Sequence, residues 1–144
     1  MERIIREAAL ADCSAITRLN REEMGYDYPR EKTFVKLQAC LANPAHRILV
    51  AEWGGEVVGY LHLEEYDVLY AGHMVNVLGI AVSSAWRRQG VGRALLSAGE
   101  AWARSKGAVA VRLVSGEARK GAHAFYQSLG YTGNKLQRNF KKPL

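Results

Sequence analysis

The feature that most constrains this chain is an apolar strand that passes through an arginine- and glycine-rich turn directly into an amphipathic helix. The turn contains Arg87-Arg88-Gln89-Gly90-Val91-Gly92-Arg93, and apolar residues recur at helical spacing after it. Glycines let the backbone turn tightly, and the first N–H groups of a helix lack internal partners and carry the positive end of the helix dipole. The turn therefore predicts an anion site suited to phosphate.

A glycine pair before a helix is also found in simple turns, so the neighbouring side chains decide between the two interpretations. Arg87, Arg88 and Arg93 share this turn, and guanidinium groups bind phosphate oxygens bidentately. The lysine-plus-hydroxyl ending of a Walker loop is missing, as is the third glycine of a dinucleotide-binding turn. The sequence therefore favours a protein that binds a phosphate-bearing ligand but has neither the Walker-loop fold nor the dinucleotide-binding fold.

Length and composition are those of one globular domain over residues 1–144, with 49% hydrophobic residues. The apolar segments are too short to cross a membrane, and the first residues lack the apolar region of a secretion signal, so we expect a cytoplasmic protein with no membrane partner. The two cysteines and four histidines have no metal-ligand spacing, which predicts free thiols and no metal ion.

Net charge is +6, from 20 Lys+Arg and 14 Asp+Glu. Basic residues collect in the 87–93 turn, at 119–120 and in the tail, whereas acidic residues collect at 22–27 and 64–67. A nucleic-acid module more often has a basic helix face, or basic strands interleaved with exposed aromatics. We therefore expect no nucleic-acid partner; the competing hypothesis of a nucleic-acid binder predicts affinity that falls steeply with salt.

Hydrophobic periodicity and turn residues predict an alternation of strands and helices. Strands are expected at 3–7, 48–53, 56–65, 74–82 and 109–114, the last of these buried, with one or two more over 131–141. Helices are expected after Asp12, Pro29 and Gly90 and around a stripe at Ala122–Leu129. This order predicts a mixed α/β domain, with helices on both faces of one sheet.

The predicted strand at 74–82 is apolar on both faces. Regular alternation would place Met74, Leu78, Ile80 and Val82 on one face and Val75, Val77 and Ala81 on the other. A strand of this kind is typical of the middle of a sheet that is covered on both sides.

Two motifs in this order resemble those of the GNAT superfamily of N-acetyltransferases. Arg87–Gly92 is similar to its pyrophosphate loop, and Ala122–Tyr131 is similar to its second signature, a helix with Phe/Leu-Tyr followed by Leu-Gly-Phe/Tyr. The resemblance implies a mostly antiparallel mixed sheet of six to seven strands whose fourth and fifth strands splay apart. It also implies transfer of an acetyl group from acetyl-CoA to a primary amine, by direct attack in a ternary complex.

The resemblance also implies which residues hold acetyl-CoA as co-substrate. The backbone of the fourth strand would bind the pantetheine arm, and the turn would bind the pyrophosphate. Arg119 stands where many members have an asparagine that touches pantetheine, and could reach a CoA phosphate instead; a solvated arginine at the end of a helix is the alternative. The implied cofactor residues are Ile80, Ala81, Val82, Arg87, Arg88, Gln89, Gly90, Val91, Gly92, Arg93 and Arg119.

For the chemistry, Tyr126 matches the family's general acid, because a phenol with a pKa near 10 can protonate a leaving thiolate. Its helical spacing alone would also fit a core residue. Asn76 stands where many members carry a glutamate base, and an amide cannot accept a proton there. The base is left open among a water chain, a substrate of low amine pKa, and the side chains of Glu22, Glu23, Glu64, Glu65 and His73.

The acceptor implied by the resemblance is a primary amine on a small molecule, peptide or protein. Glu22, Glu23, Tyr26 and Asn76 are the candidate substrate-binding residues, since acidic and aromatic side chains attract cations; solvated surface acids would look the same. The alternative function is a non-catalytic acyl-CoA sensor or interaction module on the same fold. Residues 131–140 are where the resemblance suggests that two copies could pair.

Overall fold

The computed structural model describes residues 1–133 and 135–144. The described chain divides into two compact units, Met1–Leu113 and Val114–Leu144. Among the described residues, the first unit contains the sheet, three α-helices and two 3₁₀-helices (Leu10–Asp12 and Ser84–Trp86), and the second contains one α-helix. The prediction of one domain over residues 1–144 stays a prediction.

The first unit alternates strands and helices nearly as predicted from periodicity. Its strands are β1 (Arg3–Glu7), β2 (His46–Trp53), β3 (Glu56–Tyr66), β4 (Met74–Val82) and β5 (Ala110–Arg112). Its helices are α1 (Cys13–Met24), α2 (Arg30–Leu41) and α3 (Val91–Ser105). Helix α1 ends at Gly25, whose φ of 76° is the left-handed conformation that glycine adopts without a Cβ penalty.

The five strands form one mixed sheet in chain order, β1-β2-β3-β4-β5. The first three pairings are antiparallel, and β4 pairs with β5 in parallel. The parallel ladder contains only three pairs and ends at Asn76 and Arg112. Beyond that point β4 continues for six residues, as far as Val82, and among the described residues this part is paired with β3 alone. The splaying of the fourth and fifth strands stays a prediction.

Helices cover both faces of the sheet. On one face, α1 and α2 contribute Ile16, Leu19 and Leu37 to a core that also holds Tyr60 of β3 and Ala81 of β4. Burial of these apolar side chains is what holds the two helices against the sheet.

On the other face, α3 approaches β3 closely because glycines stand at the contact. A Cβ on Gly59 would lie 2.9 Å from Cγ1 of Val91, and one on Gly99 would lie 2.8 Å from Cδ2 of Leu61. Each distance is shorter than normal packing allows, so only glycine fits these positions without movement. The contact fixes the start of α3 against the middle of the sheet.

A β-bulge in β4 corrects the predicted assignment of its faces. Leu63 pairs with Val77 and His62 pairs with Gly79, so Leu78 is an extra residue without a partner on β3. Alternation restarts after the bulge. Ile80 and Val82 therefore share the α3 face with Val75 and Val77, while Ala81 lies on the α1 face with Met74 and Asn76.

The prediction of six to seven strands is wrong, because the sheet has five. Apart from Asn134, which lies outside the described residues, 131–141 forms no strand. Its apolar residues Leu136 and Phe140 are 82% and 85% exposed and are separated by polar and basic residues, so the segment offers no apolar face to a sheet.

The fifth strand is shorter and less buried than predicted. The expected strand at 109–114 is reduced to Ala110–Arg112, and Val109 and Val114 are 75% and 68% exposed. Its valines suggested a buried strand by composition, but a strand is buried only where helices or neighbouring strands cover it.

In the second unit, α4 (Lys120–Ser128) carries the predicted stripe, and Tyr126 is its one buried residue. The backbone carbonyl of Tyr126 accepts hydrogen bonds from the N–H groups of Leu129 and Tyr131, which closes the end of the helix. Among the described residues, every helix is too short or too polar to span a membrane.

Candidate cofactor and acceptor site

The unpaired edge of β4 presents two peptide groups. The N–H of Ser83 donates to the carbonyl of Val58 on β3 at 2.8 Å. Partners alternate along an antiparallel ladder, so the peptide groups of Ala81 also face β3, whereas those of Ile80 and Val82 point to the opposite edge. Of the three residues named for pantetheine, Ile80 and Val82 thus have N–H and C=O groups that point away from β3.

The turn after β4 is shaped as an anion cradle. Arg88 and Gly90 adopt positive φ angles of 62° and 81°, and Gly90 is the N-cap of α3. The carbonyl of Gly90 accepts the N–H of Ala94 at 3.0 Å, which leaves the N–H groups of Val91, Gly92 and Arg93 without intrahelical acceptors. Most of the turn is exposed, but Val91 packs its side chain in the core, so it can contribute only its backbone.

Glu23, one of the candidate substrate-binding residues, contacts this turn. Its carboxylate accepts the backbone N–H of Ser84 at 3.0 Å and lies 3.5 Å from Nη2 of Arg87. The Glu23 side chain is 9% exposed and that of Arg87 is 67% exposed, so the carboxylate is covered while its arginine partner reaches solvent. The two contacts link the end of α1 to the turn. No spacing in the sequence indicates this link between residues about sixty positions apart.

Asn76 lies at the end of the ladder between β4 and β5, and its side chain is already engaged. Its Oδ1 accepts a hydrogen bond from Nη1 of Arg112 at 2.8 Å. The Arg112 guanidinium also lies 4.5 Å from the ring centroid of Tyr66. The position that carries a glutamate in many members is therefore an amide held by an arginine.

The predicted acidic candidates fall on different surfaces. Glu64 is the cross-strand partner of Asn76 and shares its face. Glu65 points to the α3 side, where it lies 2.9 Å from Nε2 of His73 and 3.9 Å from Nζ of Lys106. Glu64 is thus the one carboxylate of this pair that is placed beside Asn76.

The remaining acceptor candidates are at the surface near the end of α1. Glu22 is exposed and lies 4.0 Å from Arg21, and Tyr26 is 63% exposed.

A partly buried hydrogen bond lies beneath these residues. The hydroxyl of Tyr60 donates to Oδ1 of Asn20, which joins β3 to α1. Burial raises the pKa of Tyr60 to about 12, so this phenol stays protonated at neutral pH.

Within the second unit, Tyr126 is buried between aromatic neighbours. Its ring lies 5.4 Å from that of Phe125 and 6.1 Å, edge-on, from that of Tyr131. Burial raises the pKa of the Tyr126 phenol, and the nearby charge of Arg119 partly opposes the rise. A phenol in this environment is a proton donor at neutral pH, which is the state that a general acid needs.

Sequence spacing missed one cluster of possible ligands. Cys40 of α2, His46 of β2 and His62 of β3 each place a donor atom within 4.8 Å of the other two. Nδ1 of His46 and Nε2 of His62 are 2.9 Å apart. Burial lowers the pKa of His62 to about 4, and burial also raises the pKa of the Cys40 thiol. Only the packing of α2 on the sheet brings these residues together.

Comparison with known proteins agrees with this geometry. The model of the acetyltransferase (GNAT) family matches residues 13–131, which include the turn, β4 and α4. The chain belongs to the GNAT family. Membership supports an acyl-transfer activity for this GNAT protein.

Two relatives of this GNAT protein are named as different N-acetyltransferases. An aminoglycoside N(6')-acetyltransferase type 1 of Klebsiella aerogenes is 31% identical over 111 residues, which are 75% of this chain and 73% of the relative. An N-alpha-acetyltransferase of Sulfurisphaera tokodaii is 32% identical over 147 aligned positions, covering 94% of this chain and 84% of the relative.

A solved structure has the same fold along the whole chain. The complex of AAC(6')-Iy with the bisubstrate analogue CoA-S-monomethyl-acetylneamine superposes with a TM-score of 0.88 and covers 100% of both chains. At 17% sequence identity, this likeness shows the fold of this GNAT protein and not its acceptor.

Proposed function

We propose that this GNAT protein is an acetyl-CoA-dependent N-acetyltransferase that modifies a primary amine by direct attack in a ternary complex. The observation that carries the proposal is the continuous run from the unpaired edge of β4 into the N–H cradle at the start of α3. An amide-bearing arm that ends in phosphates fits such a run. A lone anion would need only the cradle.

In this proposal the residues of the first unit bind acetyl-CoA. The peptide groups of Ile80 and Val82 pair with the pantetheine amides and complete the sheet beyond Asn76. The N–H groups at the start of α3 bind the pyrophosphate, assisted by the arginines of the turn. Acetyl-CoA supplies the activated acyl group when bound.

Two proton movements accompany the transfer. The amine nitrogen forms a bond to the acetyl carbon as the carbon–sulfur bond breaks, the nitrogen loses a proton, and the sulfur of the departing CoA gains one. We assign donation to the sulfur to Tyr126, on its match to the family signature. The raised pKa of Tyr126 keeps its phenol protonated at neutral pH. Tyr126 then recovers a proton from solvent.

The acceptor side is assigned to the face of the sheet that holds Glu64 and Asn76. Glu64 places a carboxylate beside the parting of β4 and β5, where a cationic amine would approach the end of the pantetheine arm. The names of the two relatives compared above are those of an aminoglycoside N(6')-acetyltransferase and an N-alpha-acetyltransferase. A cationic amine would suit the Glu64 carboxylate.

The test is release of free CoA thiol from acetyl-CoA across a panel of amines: aminoglycosides, peptides with free N-termini, polyamines and amino acids. We expect turnover on one class and a fall in kcat of about 100-fold or more in Tyr126→Phe, because general-acid catalysis contributes on this scale. The affinity for acetyl-CoA, measured by calorimetry, should change little, since the phenylalanine keeps the packing of the ring.

Tyr131→Phe is the matched control. It removes a hydroxyl from the ring beside Tyr126 at a position where the family signature accepts either residue, so its kcat should stay near that of the wild type. Acetyl-CoA binding without turnover on any amine would favour the sensor function instead. Equal turnover in Tyr126→Phe and wild type would remove Tyr126 from the mechanism.

A further inference from the structure

We propose that Cys40, His46 and His62 form a zinc site that links α2 to strands β2 and β3. The donor atoms, one thiol sulfur and two imidazole nitrogens, lie within 4.8 Å of one another. Thiolate and imidazole are the ligands that Zn²⁺ binds most often in proteins. The argument for this site does not rest on the proposed transferase activity, although Glu64, the cross-strand partner of His46, borders both sites.

The distances require only a small adjustment to bind an ion. Bond lengths of about 2.0 Å to nitrogen and about 2.3 Å to sulfur place tetrahedral donors roughly 3.3–3.6 Å apart. The two imidazole nitrogens are now 2.9 Å apart, so they would separate slightly, while the sulfur would move about 1 Å closer. Side-chain rotation supplies shifts of this size without movement of the backbone.

The backbone holds all three ligands on one face of the sheet. His46 pairs across strands with Glu64, and His62 pairs with Ile48 of β2, so both imidazoles project toward the helix layer that contains α2. Cys40 stands in the last turn of α2 and is half-buried above them. Because the ligands come from three separate elements, tertiary packing brings them together. No local motif in the sequence therefore indicates the site.

Three protein ligands leave one tetrahedral position for a water molecule. Glu64, the cross-strand partner of His46, lies close enough for its charge to act on the Cys40 thiol. A cation here would be balanced by the thiolate and this carboxylate. The bound ion would join the end of α2 to the sheet and would stabilise the folded state by mass action.

The test uses the full chain without a polyhistidine tag, stripped with a chelator and titrated with Co²⁺. We expect one equivalent to bind with the visible absorption of a tetrahedral site and the near-ultraviolet charge-transfer band of a cobalt–thiolate bond. Zn²⁺ should displace the cobalt. Cys40→Ala should lose the charge-transfer band and bind at least about 100-fold more weakly, since even outer-shell changes cost tenfold or more.

Matched controls separate this site from incidental thiol and imidazole binding. Cys13→Ala removes the other thiol, which contacts the carbonyl of Arg30, and should keep the band. His62→Gln should weaken binding as Cys40→Ala does, whereas His123→Gln, whose ring contacts the carbonyl of Gly116, should not. Circular dichroism of each metal-free variant verifies that it folds.

A thermal readout covers the case in which a variant folds poorly. Saturating Zn²⁺ should raise the Tm of the wild type and of His123→Gln but not that of His62→Gln. Absence of stoichiometric binding by the wild type would overturn the proposal. So would a charge-transfer band that survives in Cys40→Ala.

Discussion

Strand β4 has two neighbours along its first half and one along its second. From Met74 to Asn76 it is hydrogen-bonded to β3 on one edge and β5 on the other; from Gly79 to Val82, among the described residues, its ladder is with β3 alone. The bulge at Leu78 separates the halves. The same strand thus changes from a sheet element into an edge within nine residues.

The difference shows how one extra residue prepares a binding edge. In the first half, Val75 is fully buried and Asn76 is held by Arg112, so both edges and both faces are satisfied. In the second half, the peptide groups of Ile80 and Val82 point away from β3 and need partners, because unpaired backbone groups are costly once covered. We infer that the first half stabilises the sheet and the second is reserved for a ligand.

Proline substitutions at two neighbouring positions of β4 should differ most in their effect on stability. Ala81→Pro removes an N–H that donates to β3 inside the sheet, and we expect it to lower the free energy of unfolding by about 3 kcal/mol or more. Val82→Pro removes an N–H that points to the open edge, so the ladder survives, as it does when proline lies on edge strands. Urea unfolding monitored by circular dichroism measures both effects.

The same pair separates stability from binding. Val82→Pro should fold but bind acetyl-CoA about tenfold more weakly, because a ligand amide loses its partner. Calorimetric titration with acetyl-CoA measures this. If Val82→Pro destabilised the protein as much as Ala81→Pro, or bound acetyl-CoA as the wild type does, the open half of β4 would not be the pantetheine edge.

Much of the difference between the two halves of β4 could not be predicted from the sequence. Its bounds, Met74–Val82, were predicted correctly from its run of apolar residues. The bulge was not, because Val77, Leu78, Ile80 and Val82 are apolar and fit either phase of alternation. Polar residues fix a phase only when one face meets water.

The residues of the candidate site divide in the same way: local sequence patterns predicted some of them, and tertiary contacts determine the others. The 87–93 turn was found because its glycines and arginines act locally, at the start of a helix. The contacts of Glu23 with Ser84 and of Asn76 with Arg112 join distant parts of the chain, and neither has a local pattern. The predicted strands over 131–141 failed for the opposite reason, since local propensity suggested strands where no apolar face exists to bury.

A substitution at the contact between α3 and the second half of β4 should have an intermediate effect on stability. Gly59 pairs with Val82, and a Cβ there would lie 2.9 Å from Cγ1 of Val91 and 3.0 Å from the carbonyl oxygen of Ala81. Because the carbonyl belongs to the ladder and cannot yield, Gly59→Ala should cost about 1–3 kcal/mol of stability. It should also weaken acetyl-CoA binding, because displacing Val91 moves the N–H cradle.

Gly121→Ala is the control for Gly59→Ala. A Cβ on Gly121 meets nothing within 4 Å, and Gly121 lies in α4, where alanine is the better helix former. Its stability should equal or exceed that of the wild type. A Gly59→Ala protein as stable as Gly121→Ala would mean that α3 can shift freely over β3, and the cradle would then not be fixed by this contact.

The smallest effect at neutral pH should come from Tyr60, the cross-strand partner of Ala81, whose hydroxyl donates to Asn20 of α1. Tyr60→Phe should lose about 1 kcal/mol at pH 7, the net value of one such hydrogen bond. Burial raises the pKa of Tyr60 from 10 to about 12, so the folded state favours the protonated phenol. That contribution is fully present below pH 10 and is lost as the pH rises from 10 towards 12.

Urea unfolding of wild type and Tyr60→Phe at pH 7, 10 and 11 separates the two contributions. By pH 11 the wild type should lose about 1 kcal/mol that Tyr60→Phe does not lose, since a phenylalanine has no proton to release. Tyr28→Phe, which removes a partly exposed phenol, should follow the wild type at each pH. Parallel curves for wild type and Tyr60→Phe would mean that solvent reaches the Tyr60 hydroxyl, and that α1 does not seal the face of β4 opposite α3.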